Sequence, residues 1–137
     1  MRRDLHNNIT VKRAISPVDG ANNTALVSQI IDRQDYQSLE FVIATGTLAD
    51  ADATFTVLVE DGDASNLSDA SAVDDKYLLG TEAGASFLFS DDDAVKKIGY
   101  KGPKRYVRLT ITPANNTGSD PISAVAILGM PKLAPVA

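Results

Sequence analysis

The chain has 137 residues and a formal net charge of −5, with 44% hydrophobic side chains. That length fits one domain able to bury roughly two thirds of its unfolded surface without metals or disulfides. With no cysteine, disulfide and thiolate chemistry are excluded. No apolar run approaches the ~18 residues of a membrane helix. Met1-Arg2-Arg3-Asp4 leads into polar residues and not into an apolar leader core, so cytosolic synthesis is expected.

Residues 1–18 mix basic side chains (Arg2, Arg3, Lys12, Arg13) with widely spaced apolar anchors (Leu5, Ile9, Val11, Ile15), and Pro17 closes the stretch. They read as an extended N-terminal arm with a short strand at Asn8–Ala14, or as a first edge strand. Asp19–Thr24 is a loop by composition. A β-domain over 19–129 follows. Ala25–Ile31 is a short apolar strand, and Leu39–Thr45 and Thr54–Glu60 alternate apolar and polar positions as half-buried strands do. Asp61–Asp75 is a 15-residue polar stretch, long enough to be functional, partly helical or mobile. Lys76–Leu79 is a short strand, Gly80–Ala85 a turn, Phe87–Phe89 an apolar patch and Asp91–Asp93 an acidic knot.

Arg105–Thr112 is the clearest strand, with Val107, Leu109 and Ile111 on one face and Tyr106, Arg108, Thr110 and Thr112 on the other. Turn formers fill 113–121, and Ile122–Leu128 resumes as a run apolar on both faces, the pattern of a central strand. The tail, 130–137, carries two prolines and cannot continue a central strand. Strands spaced by turn chemistry, with no long helical period, predict an all-β single domain: a jelly-roll-like sandwich or a small barrel.

Charge is segregated along the chain. Residues 41–95 hold twelve acidic side chains and one basic, whereas residues 96–137 hold seven basic and one acidic, Asp120. Such blocks form solvated faces of opposite sign, or they complement neighbouring copies or a larger assembly. The acidic total and the lack of a reading motif disfavour nucleic acid, although Lys101, Lys104, Arg105 and Arg108 interleave with Tyr100 and Tyr106 as a stacking platform would.

No reactive constellation is present. His6 is the sole histidine, and no GxSxG elbow exists for a Ser-His-Asp triad. The carboxylate clusters lack the spacing of a calcium loop and read as solvated loops, with a bound cation as the lesser reading. No enzyme activity, cofactor or metal is expected.

The opening MRRDLHNNITVKRAISP, the later GYKGPKRYVRLTIT and the closing PISAVAILGMPKLAPV resemble small capsid decoration, or cement, proteins of tailed bacteriophages and prophages, as do ATFTVLVEDGD and LLGTEAGA in the middle. The resemblance implies a β-rich module on the outside of an icosahedral shell. It would be a homodimer or homotrimer that binds the major capsid protein after expansion. The expected capsid contacts are Arg2, Arg3, Leu5, Ile9, Lys12 and Arg13 in the arm, and Leu133 and Val136 in the tail. The alternatives are another virion part (tail tube, head–tail connector or spike) and a carbohydrate- or calcium-dependent binding module.

Overall fold

Alternation condenses into two antiparallel sheets packed face to face. The computed structural model describes residues 3–20 and 22–136. Its strands are β1 (Ile9–Asp19), β2 (Leu26–Val27), β3 (Ile31–Asp32), β4 (Tyr36–Thr45), β5 (Thr54–Gly62), β6 (Ser71–Ala72) and β7 (Leu78–Leu79). A one-turn helix α1 (Glu82–Ala85) precedes β8 (Phe87–Leu88), β9 (Val95–Tyr100), β10 (Tyr106–Ala114) and β11 (Pro121–Pro131).

One sheet runs β1-β11-β4-β9-β7; the other runs β2-β10-β5-β6, with β3 also on β10 and β8 also on β5. The pairings nest. The first strand meets the last, β2 and β3 meet β10, β4 meets β9, and β5 meets β8. A nested antiparallel ribbon laid across two layers is the jelly-roll form of a sandwich, and no barrel closes. β10 and β11, consecutive in the chain, lie in opposite sheets, so the 115–120 loop crosses the end of the sandwich.

The inner faces meet in one core. Phe41, Ile43, Ile98 and Leu128 pack against Val57, Leu109, Ile111 and Phe55, all with 1–2% exposure or less. Each such side chain contributes about 1.5–3 kcal/mol of burial. The Phe55 and Phe87 rings stack with centroids 4.7 Å apart.

From Ile9 onward the supposed arm is an edge strand, with Ala14 and Ile15 buried at 2% and 7% exposure. Two register irregularities, between Arg13 and Ile15 and between Ile15 and Val18, break its alternation, and the sheet edge tolerates Pro17. Deleting residues 1–18 would strip β1 from β11; of the described residues that precede β1, 3–8 lie outside the sheet.

The apolar stretch Ala25–Ile31 is split. Between β2 and β3, Ser28 replaces a ladder step: its N–H donates to the Leu109 carbonyl at 2.8 Å, and its Oγ accepts the Leu109 N–H at 2.9 Å. The 61–75 stretch is ordered around Asp69, whose carboxylate accepts the Asp63 and Ala64 N–H groups at 2.8 and 3.2 Å. Leu67 plugs it from beneath at 4% exposure. The Gly80–Ala85 turn is largely α1, capped by Thr81 Oγ1 accepting the Gly84 N–H at 2.8 Å. This helix completes the β5 edge: Glu82 Oε1 accepts the Val59 N–H at 2.9 Å, and Ser86 Oγ the Val57 N–H at 3.0 Å.

Candidate interaction surface at the terminal pole

Strand register brings both ends of the chain together. Ile9 opens β1 opposite Gly129, and Pro131 closes β11 opposite Tyr36. Residues 3–8 and 132–136 therefore leave the same pole of the sandwich. They are laced there by backbone bonds from Val136 N–H to the Asn7 carbonyl (2.9 Å) and from Lys132 N–H to the Asp35 carbonyl (2.7 Å). Asp4 holds the short 3-10 turn His6–Asn8 by accepting the Asn7 N–H at 2.9 Å. Below it, the Thr10 and Tyr36 hydroxyls meet at 2.6 Å.

The lacing leaves grooves open between the two segments. One, of about 550 Å³, runs between Arg3, Leu5, Gln37, Met130, Pro131 and Ala134. A second, about 310 Å³, lies beside it against Tyr36, Leu133 and Val136. The rims are apolar and wet: Leu5 is 68% exposed, Met130 65% and Leu133 81%.

Of the residues the sequence singled out, Arg3 and Leu5 line the first groove, and Leu133 and Val136 the second. Ile9 and Val136 share a smaller cleft with His6. Arg2 lies outside the described residues. Lys12 and Arg13 sit further along β1, opposite Ala126 and Val125, about 10–14 Å from Ile9 at strand rise. Lys12 Nζ reaches the Asp32 carbonyl at 3.4 Å, and Arg13 belongs to the outer face of the sheet. Sequence reasoning missed Met130 and Gln37. The signal for Met130 was Gly129-Met130-Pro131: contrary to the expectation that the tail leaves the strand at 130, β11 runs on to Pro131, with Met130 at φ 49°.

The ionisable residues have other work. Lys104 pairs with Asp63 at 2.6 Å and Arg108 with Glu60 at 3.0 Å. Arg105 grips both oxygens of Asp32 at 2.8 Å, which holds that carboxyl below its usual range. Tyr100 is buried; its hydroxyl donates to Asp61 at 2.6 Å and accepts the Lys104 N–H at 3.0 Å. Burial first, then the Asp61 bond, pushes its phenol well above the usual value. The basic cluster is thus tied into the fold, and its Tyr100 offers no stacking face. The loop acids cap backbone amides: Asp92 takes the Leu48 N–H at 2.7 Å, Asp91 that of Leu88 at 2.8 Å and Asp74 that of Lys76 at 3.1 Å. Among the described residues, no group of three or more His, Cys, Asp or Glu side chains is placed to hold a metal ion. What the pole offers a partner is apolar area, groove depth and peptide hydrogen bonds.

No protein-family model matches the chain, and no curated protein matches it in sequence. Solved structures do share its fold. The SPBc2 prophage-derived protein YomS superposes with a TM-score of 0.51 at 9% identity, over 88% of this chain and 92% of that one. The PBSX exported protein XepA superposes with a TM-score of 0.55 at 10% identity, over 88% of this chain and 37% of XepA. The isomalto-dextranase of Arthrobacter globiformis T6, complexed with panose, gives a TM-score of 0.52 at 15% identity, over 93% of this chain and 24% of the enzyme.

Proposed function

We propose that the chain is a non-enzymatic structural protein of a tailed-phage virion. It decorates the outer surface of the icosahedral capsid and binds the major capsid protein through the terminal pole. The observation that carries this reading is the convergence of both end segments into one grooved surface with Leu5, Met130 and Leu133 exposed on its rim. The prophage origin of two proteins that share the fold supports the phage setting. In a repeated lattice many modest contacts sum through multivalency. Leu5 and Leu133 bury about 1.5–3 kcal/mol each when covered, a tenfold or greater change in affinity per site. The grooves between them suit an extended capsid segment.

The test is co-sedimentation with empty shells of the phage that encodes the chain, before and after expansion. The wild-type protein is expected to bind expanded shells stoichiometrically, and the Leu5→Asp/Leu133→Asp variant to lose occupancy. Full occupancy by that variant would remove the pole from the interface. Failure of the wild type to bind either shell would remove the capsid role.

A further inference from the structure

The two outer faces of the sandwich differ in chemistry. On the six-stranded sheet, β5 and β10 present Thr54, Thr56, Thr110 and Thr112 around Leu58, with Arg108 and Glu60 paired across the strands, and the short strands add Val27 and Leu88 at its margins. On the five-stranded sheet, the apolar outward positions are more numerous, Val11, Val42, Leu79, Val95, Val125 and Ile127, and they surround Arg13, Glu40 and Lys97. Val11 is 55% exposed, Leu79 52%, Val95 67% and Val125 37%. Strand propensity does not require this, since threonine satisfies it on the opposite face with a water-facing hydroxyl. Soluble monomers rarely expose apolar patches beyond a few hundred Å².

We infer that this face packs against the same face of a second copy, forming a two-fold symmetric dimer. The face is level because Gly99 has no side chain, and Glu40 and Leu79 lie across it. Two neighbouring rows cross the strands: Val11, Ile127, Glu40, Gly99, Leu79, and then Arg13, Val125, Val42, Lys97. A dyad lying in the face, across the strands and between these rows, sets Glu40 of each copy beside Lys97 of the other. It also lays Val125 over Ile127. The contact is isologous, so each complementary pair occurs twice. Five strands and four outward rows span about 24 by 27 Å at sheet spacings. That buries roughly 1,200 Å² over both copies, the lower bound of specific interfaces. This surface is separate from the terminal pole and stands or falls independently of the capsid assignment.

Sedimentation equilibrium of the full chain, from low micromolar to submillimolar, tests it. The wild type is expected to be a dimer, and Val125→Glu to weaken dimerisation roughly thirtyfold or more by burying an unpaired charge. Glu40→Lys and Lys97→Glu each place like charges together twice and are expected to be monomeric alone. Mixed in equal amounts they restore both pairs and associate, which also shows that both are folded. A wild type that stays monomeric, a Val125→Glu variant that dimerises normally, or a mixture that fails to associate each overturns the inference. So does a monomeric wild type whose Val125→Glu variant loses shell binding, which would give the face to the capsid.

Discussion

Asp120 is the side chain whose replacement is expected to stabilise the fold. It opens the turn into β11 with no exposed surface, and neither carboxylate oxygen has a hydrogen-bond partner of ordinary geometry. Its own N–H is held by Asp19 Oδ1 at 2.8 Å, and its carbonyl accepts the Gly20 N–H at 2.9 Å, so the position itself is fixed by backbone. Burial raises the Asp120 carboxyl above its usual value, and the nearby Asp50 and Asp19 charges raise it further; the Asp50 and Ala49 amides offset only part of this. A folded pKa above 3.8 means that the folded chain keeps the proton to higher pH than the unfolded chain does. Stability is then fully present below 3.8 and lost as pH rises through the folded value. A buried polar group without partners costs about 1–3 kcal/mol. Asp120→Asn keeps the shape, removes the charge and offers an amide to the Asp19 and Asp50 carboxylates. A gain of about 1–2 kcal/mol, or roughly 4–8 °C in melting temperature, is expected at pH 7. The assay is thermal unfolding at pH 7 and at pH 3, where the gap between variant and wild type closes. Asp50→Asn is the control of opposite sign. The Thr117 amide, first among several donors, holds the Asp50 carboxyl low, so its stabilisation is present above 3.8 and lost as pH falls through the folded value. A destabilised Asp120→Asn, or one with the same advantage at both pH values, would refute the reasoning.

Gly102→Ala is expected to destabilise by about 1–3 kcal/mol in urea unfolding, because overpacking a fixed neighbour forces strain. Its Cβ would stand 2.6 Å from Cζ of Tyr100, a ring that is 1% exposed and anchored by Asp61 and Lys104; an unchanged midpoint would show that the ring can yield. Asp69→Ala releases the amides of Asp63 and Ala64, so hydrogen exchange at those two positions is expected to speed up while the β10 amides stay protected. Unchanged exchange would mean that Leu67 alone orders the stretch.

Much of the architecture was legible. β4, β5 and β10 follow directly from alternation, and their inward residues are the core, because a period of two states which side chains are buried. It does not state which strand lies alongside. Nothing local in 106–131 distinguishes a hairpin from two strands in opposite sheets, and the crossing loop is fixed by Asp50, whose partner Thr117 is 67 residues away. β1 was legible only as a short strand or an edge strand, and its extent to Asp19 was missed because its register irregularities scatter Ile9, Val11 and Ile15 across both faces and place Pro17 inside a strand. β2, β3, β6 and β8 are two residues each, too short to carry a period. The terminal surface was legible only as two separate ends. Their meeting depends on β1 pairing with β11, a contact between the first strand and the last. The same pairing carries Lys12 and Arg13 away from the pole, since each residue along β1 moves about 3.3 Å from it.

The segregated charge finds its counterpart inside the fold. Lys104 with Asp63 and Arg108 with Glu60 join the basic block to the acidic block where β10 runs beside β5, and Arg105 with Asp32 ties the basic block to β3. Pairs of this kind, half in water, contribute little to stability. Their larger effect is on register, because a one-residue slip of β10 would turn Arg108 inward and Leu109 outward. Two surfaces are proposed for partners, and both are largely apolar. These are the rim of Leu5, Met130 and Leu133 at the pole, and the valine-rich outer face with Glu40 and Lys97 to set its alignment. Within the sandwich charge chooses the arrangement, and in both proposed contacts apolar area would supply the affinity.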